Sequence, residues 1–411
     1  MRMKMVLKDF SSLIIILILA LSNYFGLLPI VECVSTPNEK LIIGLKRQEQ
    51  VNEFLIKETY DSIEASFDER FGIDLIAKKD YKKGELVFSC SPVGAISFLP
   101  KCKNMCENCG RYSTCSSLKF SCDSNCGTYF CSSHCKYASQ TWHTNEECDA
   151  FAYMDSYIEG KPKDYFWAEV HEFSRIIIRI LTERYLQTKQ LMNTNYSSKK
   201  QKYLSNAIIL SNAECKEHFV GDHRTLNFLC TNENEFKQHP QHLRHAQEVF
   251  QAVSLALPSE YLLQKREIVS LVFSISCNRF GLRCPGDCLG TGMFPLSALI
   301  NHSCVPNLTR IHIGKVMFFY ACKDIQAGSK LMHSYVDLRQ GLQERKSELL
   351  TTYLFDCKCE RCTIESKGKT YEEIREAWCT DCGRATVSLS NGFLAGCVCQ
   401  EKDINAIRDN G

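Results

Sequence analysis

Cysteine sets the first constraint on what this chain can fold into. There are 25 cysteines in 411 residues, and many sit in pairs two or three residues apart. Cys106-x2-Cys109, Cys122-x3-Cys126, Cys131-x3-Cys135 and His143-x4-Cys148 crowd into residues 101–148. That stretch has little aliphatic content, so something other than an apolar core must staple it. Disulfide frameworks belong mainly to small secreted domains, whereas close Cys pairs with a downstream His and Cys have metal spacing. Thiolate with imidazole is the ligand mix that zinc takes, four at a time. Eight ligands make two sites, and sequential pairs lie too close to fold as separate globules. The pairs are therefore expected to interleave. Cys106, Cys109, Cys131 and Cys135 take one ion; Cys122, Cys126, His143 and Cys148 take the other. Cys102 and Cys115 are left as spare thiols. The alternative, a disulfide-bonded loop region, fits this His-containing spacing less well.

Two further cysteine groups follow. "FDCKCERC" supplies Cys357, Cys359 and Cys362, one ligand short of a closed zinc site. The fourth is sought in "LINHSCVPNL", residues 299–308, where an apolar run is interrupted by Asn301, His302 and Cys304. Polar groups in such a segment are costly unless something binds them. Cys304 as the missing ligand pins the tail of the chain over Asn301–His302. Cys379-x2-Cys382 with Cys397-x-Cys399 has the spacing of a small zinc ribbon. The ligand sets together imply three to four zinc ions.

Charge is nearly balanced, with 49 Lys and Arg against 47 Asp and Glu, and gives no direct nucleic-acid signal. Residues 11–31, "SSLIIILILALSNYFGLLPIV", follow Arg2, Lys4 and Lys8 and read as a signal-like or anchoring leader. Membrane contact is expected only through this leader, which leaves secretory or anchored targeting open. A mistaken start of the gene is the bland alternative. Sequons at Asn195, Asn301 and Asn307 would place a glycan on the Asn301 segment if the body were lumenal. A binding role for that segment therefore puts the body in cytoplasm or nucleus.

Along the chain, 70–98 alternates apolar and polar residues around a "KKG" turn, which predicts strand, turn and strand. From 151 to about 265 the period is helical, with Phe166, Val170, Phe173, Ile177 and Leu181 on one stripe and "HAQEVFQAVSLAL" repeating the theme. "NTNYSSKKQK" reads as a solvated loop. Residues 268–337 return to short strands, and a charged helix follows 341.

In order, "GIDLIA", "CNRFGL", "NHSCVPN", "SYVD" and "YLFDCKCERC" resemble a SET domain, and "CENCG…CDSNCGTYFCSSHCKYASQTWHTNEEC" resembles the MYND zinc finger interrupting it. The chain thus resembles the family of SET-and-MYND proteins over about 41–365. It is most similar to the branch whose cofactor loop lacks its second glycine, since Gly72-Ile73-Asp74 stands where Gly-x-Gly is usual. The spacers inside Cys122–Cys126 and His143–Cys148 are each one residue longer than usual. The resemblance implies an α+β fold of short curved sheets with these divisions. They are a leader at 1–40, an N-terminal SET portion at 41–100, the finger at 101–150 and a helical insert at 151–267. A C-terminal SET core at 268–340, a post-SET zinc segment at 341–366 and a Cys-rich tail at 367–411 complete them.

The resemblance further implies a protein-lysine methyltransferase that uses S-adenosylmethionine, acts on a lysine-bearing protein, and binds proline-containing peptides at the finger. By position, Gly72, Asn278, Asn301, His302, Tyr335 and Phe355 hold the cofactor. Tyr335 is catalytic, and Tyr353 lines the lysine channel. Asp74 either meets the cofactor's positive charge or blocks its pocket. The contrasting expectation is a zinc-stapled scaffold that recruits partners in transcriptional regulation. Taken singly, Tyr335 and Phe355 are ordinary strand aromatics, Asn301 a turn former, and His302 a core histidine. Only their joint order points to a site.

Overall fold

Strands of two to seven residues, set between tight turns, build several small sheets rather than one large one. The structure is a computed structural model describing residues 37–192 and 222–371, except 60, 70–71, 100, 114–115 and 285–286, and then 379, 384–388 and 394–395. The leader at 11–31, the "NTNYSSKKQK" loop with Asn195, and Cys115, Cys382, Cys397 and Cys399 lie outside the described residues. No described helix is long and apolar enough to cross a membrane.

Helix α1 (Pro37–Glu58) packs on a hairpin of β1 (Ile63–Asp68) and β2 (Gly72–Ala77). Asn52 fastens the two, its amide donating to Ala65 O at 3.1 Å and its carbonyl accepting from Ala65 N at 2.6 Å. Strands β3 (Leu86–Cys90) and β4 (Val93–Ser97) follow. The "KKG" turn forms as expected, with Glu85 N donating to Lys82 O at 2.9 Å and Gly84 at φ +87. The strands on its two sides are nevertheless not partners: β2 pairs with β1, and β3 pairs with a strand from far along the chain. The intervening stretch is held instead by Tyr81 against Ile325 and by Gly84 N donating to Ala321 O. Long-range ladder bonds have replaced the local hairpin.

The finger contributes β5 (Phe120–Ser121), β6 (Tyr129–Phe130) and α2 (Ser133–Ser139), then α3 (Asn145–Glu159) leads out of it. Ser132 and Thr144 cap the two helices, each accepting from a backbone N–H three residues on. Next come α4 (Tyr165–Met192), α5 (Glu233–Lys237), α6 (Pro240–Ala256) and α7 (Lys265–Asn278). Val170, Phe173, Ile177 and Leu181 are buried along α4, and Phe166 is half-buried, as the stripe requires. Helix extends to Asn278, further than the sequence pattern suggested. Gln264 and Glu267 form a capping box, and Ile268, Leu271, Val272 and Ile275 give the apolar face that sustains it.

The remaining chain is mostly sheet: β7 (Arg279–Cys284), β8 (Asp287–Met293), a helical turn α8 (Pro295–Ala298), β9 (Asn301–His302), β10 (Leu308–Ile313), β11 (Val316–Ala321) and β12 (Met332–His333). Three sheets result, in the orders β4-β8-β7, β10-β11-β3 and β12-β9. The last is parallel, with His333 opposite His302. Helices α9 (Leu342–Tyr353) and α10 (Glu360–Glu365) follow, and β13 (Val387–Ser388) pairs antiparallel with β14 (Leu394–Ala395) beyond them. The expected α+β class of short open sheets is what forms.

The finger is pressed onto the body at two glycines. Gly110, at φ +74, and Gly314, at φ +59, sit so close that a Cβ on Gly110 would lie 2.6 Å from the carbonyl carbon of Gly314. A Cβ on Gly314 would lie 2.3 Å from the carbonyl oxygen of Cys109. Both positions need glycine for conformation and for space. Beneath them lies a buried ionic network. Lys315 donates to the Glu107 carbonyl, Arg179 pairs with Glu147 and reaches Glu107 at 3.5 Å, and Glu183 accepts from Gly94 N at 2.8 Å.

Candidate active site and metal centres

Three groups of four ligand atoms come together, each within 4.8 Å of one another: Cys106, Cys109, Cys131 and Cys135; Cys122, Cys126, His143 and Cys148; Cys304, Cys357, Cys359 and Cys362. These are the interleaved pairs and the distant fourth ligand that the sequence implied. Sulfur separations are 3.6 Å for Cys109–Cys131, 3.5 Å for Cys131–Cys135, 3.5 Å for Cys122–Cys148 and 3.6 Å for Cys304–Cys362. Four thiolates ~2.3 Å from a tetrahedral ion stand roughly 3.8 Å apart, whereas a disulfide brings sulfurs to about 2 Å. The geometry is that of zinc and not of disulfides. Of the fourth group, Cys379 is described, and its N–H donates to Arg384 O at 2.9 Å. Cys106 N makes the same bond to Arg111 O at 2.7 Å. Both cysteines open the sequence Cys-x2-Cys-Gly-Arg.

Each site has partners that orient its ligands. Glu147, fully buried, accepts from Nδ1 of His143, leaving Nε2 for the metal at 3.3 Å from Cys126 Sγ. Asn108 donates to Cys135 Sγ at 3.6 Å and accepts from Trp142 Nε1 at 3.0 Å. At the third site Arg345, fully buried, donates to Cys304 Sγ at 3.3 Å while pairing with Glu365. A guanidinium here offsets the excess negative charge of four thiolates around a divalent ion. Sequence reading missed Glu147 and Arg345 because a charged helix face looks solvated until its neighbours are known.

The third metal site joins directly to an aromatic group. His302 is buried, and its Nδ1 accepts from Tyr335 N at 3.0 Å. Its proton therefore sits on Nε2, which points at Cys304 Sγ 3.2 Å away. Burial holds the imidazole neutral, pushing its pKa down to about 4. Tyr335 donates its hydroxyl to Ile300 O at 2.7 Å, and its ring packs 4.8 Å from Tyr353, 4.8 Å from His333 and 6.4 Å from Phe355. Burial raises the Tyr335 pKa, so the hydroxyl stays protonated. Leu354 ends α9 in the left-handed region at φ 62. That turn brings the flanking Tyr353 and Phe355 both to the Tyr335 ring.

Asn301 lies at the opposite edge of β9. Its amide donates to Ile73 O at 3.0 Å and Asp74 Oδ1 at 2.8 Å, and Lys330 completes Asp74 at 2.5 Å. Asp74 is buried, tied to protein groups on both oxygens. Gly72 has φ +78, and a Cβ there would meet nothing within 4 Å, so its backbone borders open space. Asn278 ends α7, and its amide donates to Cys230 O and Ser274 O, both at 2.8 Å, rather than to the Asn301–Tyr335 group. The amides of Asn301 and Asn307, which a glycan would need, are both engaged, Asn307 with Lys330 O at 2.8 Å.

Two buried polar atoms beside this group have no hydrogen-bond partner: Nε2 of His333 and Nη1 of Arg310. Nδ1 of His333 is occupied by Ser334 O at 3.0 Å, so Nε2 is a bare acceptor. Arg310 lies 4.5 Å over the Phe280 ring, which is 6.3 Å from His333. Orphaned atoms of this kind mark where a ligand's polar groups or bound solvent belong. His333, two residues before Tyr335 in the sequence, could have been flagged by its closeness to the candidate tyrosine. Nothing local flags Arg310.

A model of the SET domain matches residues 72–336, a span that runs from the glycine of β2 to the residue after Tyr335. The chain belongs to the SET-domain family. Among curated proteins, this SET-domain chain is 26% identical over 331 residues to a SET and MYND domain-containing protein of Dictyostelium discoideum, covering 75% of this chain and 83% of that one. It is 27% identical over 310 residues to N-lysine methyltransferase SMYD2-A of Danio rerio and 26% over 308 residues to N-lysine methyltransferase SMYD2 of Homo sapiens. Each match covers 74% of this chain and 61% of the relative, so the chain spans under two thirds of those enzymes. The crystal structure of the SET domain of LSMT bound to lysine and AdoHcy overlays only loosely, at TM-score 0.34 and 12% identity over 82% of this chain and 66% of that one.

Proposed function

We propose that this SET-domain protein is an S-adenosylmethionine-dependent protein-lysine N-methyltransferase. The observation that carries the reading is the Tyr335–Tyr353–Phe355 aromatic group, joined through His302 to the Cys304 metal site. S-adenosylmethionine, when bound, supplies the methyl group. Gly72, Asn301, His302 and Phe355 would hold it. Gly72 leaves open space for a close backbone approach, and Phe355 offers a ring face to a planar base. Asn278 belongs to this set by resemblance, although its amide is turned to backbone carbonyls.

Methyl transfer to lysine needs a neutral amine held in line, with water excluded. Tyr335 is suited to orient the amine, because its hydroxyl is fixed by Ile300 O and its ring is walled by Tyr353 and His333. Tyr353 offers an aromatic wall to the substrate's ammonium or methylated amine. The substrate is a protein bearing an accessible lysine. The finger would take a proline-containing peptide, and the thiol-rich body suits a reducing compartment, cytoplasm or nucleus.

A second reading is a zinc-stapled scaffold that recruits partners without catalysis. The engagement of the Asn301 amide by Ile73 and Asp74 favours it, since that donor is then committed within the protein. Isothermal titration with S-adenosylmethionine separates the two. Saturable heat that disappears in Asn301→Ala supports the enzyme, and a folded, zinc-loaded protein giving no heat leaves the scaffold.

A further inference from the structure

Arginines gather beside the aromatic channel. Arg310 on β10 interacts electrostatically with Tyr353 and Tyr335 and with two other guanidiniums, Arg283 and Arg384. Tyr353 in turn interacts electrostatically with Arg310, Arg283 and Arg279, and with the acidic Glu348. Arg279 is matched by Glu169 at 3.4 Å and Glu172 at 3.8 Å. Glu348 accepts from Gln340 at 3.0 Å. Neither Arg283 nor Arg310 has an acidic partner among the described residues, and Nη1 of Arg310 is buried without any acceptor. Crowding like charges in a partly desolvated place is unfavourable unless an anion joins them. It also repels the ammonium of an approaching lysine, so a lysine must bring its own compensating charge.

We propose that Arg283 and Arg310 form a carboxylate-binding subsite beside Tyr353, selecting substrates in which an Asp or Glu lies close to the target lysine. This rests on the methyltransferase reading and adds its substrate class. The carboxylate comes from the peptide and not from the cofactor. Arg310 interacts with both channel tyrosines and Arg283 with Tyr353, whereas the Asn301 amide is tied to Ile73 and Asp74 of β2. A guanidinium holds a carboxylate by two parallel charge-assisted bonds, which supplies direction as well as attraction. Arg283, being exposed, meets the acidic residue first, and Arg310 offers the inner, unpartnered N–H. Peptides with basic flanks are excluded by the same field.

The test uses full-length, zinc-loaded protein and fluorescein-labelled peptides with one lysine, flanked by Glu and Asp, by Gln and Asn, or by Arg. Polarisation should show the acidic peptide binding about tenfold tighter than its amide counterpart, with the basic peptide weakest. That preference should shrink between about 50 mM and about 300 mM salt. Arg310→Gln should remove the preference, and Arg310→Lys should restore part of it. Should Arg310→Gln not fold, Arg283→Gln at the exposed position carries the test. Equal binding of acidic and amide peptides, or no binding of either, overturns the subsite. So does an Arg310→Gln protein that keeps the preference, or one that loses S-adenosylmethionine instead. Mass spectrometry of the bound peptides reads the chemistry separately. A peptide preference without methylation sinks the activity and keeps the subsite.

Discussion

The side-chain amide of Asn301 donates to Asp74 Oδ1 at 2.8 Å, tying β9 to β2 across 227 residues of sequence. Asp74 is the residue that departs from the usual glycine, and its carboxylate is turned to Asn301 and Lys330. Removing it leaves a half-buried donor without its acceptor, which costs about 1–3 kcal/mol. Lys330, half exposed, forms an ion pair worth under ~1 kcal/mol. Urea unfolding should therefore rank Asp74→Ala well below Lys330→Ala in stability. Equal losses would mean that the Asn301 bond contributes little.

Tyr335→Phe keeps the ring contacts with Tyr353 and His333 and deletes the bond to Ile300 O. Stability should change by about 1 kcal/mol, while initial methyl-transfer rates should fall by about 100-fold through lost positioning. Because burial keeps the hydroxyl protonated, the wild-type rate should show no phenolate limb up to about pH 10. Wild-type rates from the Phe variant would remove the hydroxyl from the mechanism.

Glu183 carries a pH signature. Burial raises its carboxyl from the ordinary 4.5 to about 7, against the pull of Arg179 and the Gly94 N–H. A folded-state pKa above the unfolded one means stability present below about 4.5 and lost as pH rises through about 7. The shift corresponds to about 3 kcal/mol. Glu183→Gln, which still accepts from Gly94, should be as stable as wild type at pH 5 and more stable at pH 8. A difference that does not grow with pH would contradict the assignment.

Metal analysis should find three zinc ions for the three described clusters, and four if the 379–399 thiols also bind. Cys357→Ser should lower the count by one and abolish S-adenosylmethionine binding, because the His302 side chain rests on Cys304. Cys122→Ser, in the finger, should also lose one ion yet leave that binding intact. Similar binding losses in both would show that the finger supports the whole body.

Most of the metal chemistry was legible in the sequence, because ligand count and spacing are local and zinc demands four. Pairing Cys304 with the Cys357 group needed only the deficit of one ligand. What stayed hidden depends on residues brought together from afar. The β2 and β3 strands could be read from alternation, but not that each would find a distant partner. Helix α7 and the strand after it share one apolar run, so the boundary at Asn278 lay beyond what periodicity resolves. Asp74 could be seen as a departure, yet its effect depended on where Asn301 and Lys330 would stand.

Gly110 and Gly314 meet back to back, one from the cysteine turn of the finger and one from the β10–β11 hairpin. A cassette exchanged between relatives must therefore bring its own bare backbone at the seam. A foreign finger with any side chain at the position of Gly110 would collide with the Gly314 backbone. The insert has become masonry in the wall rather than a hinged door.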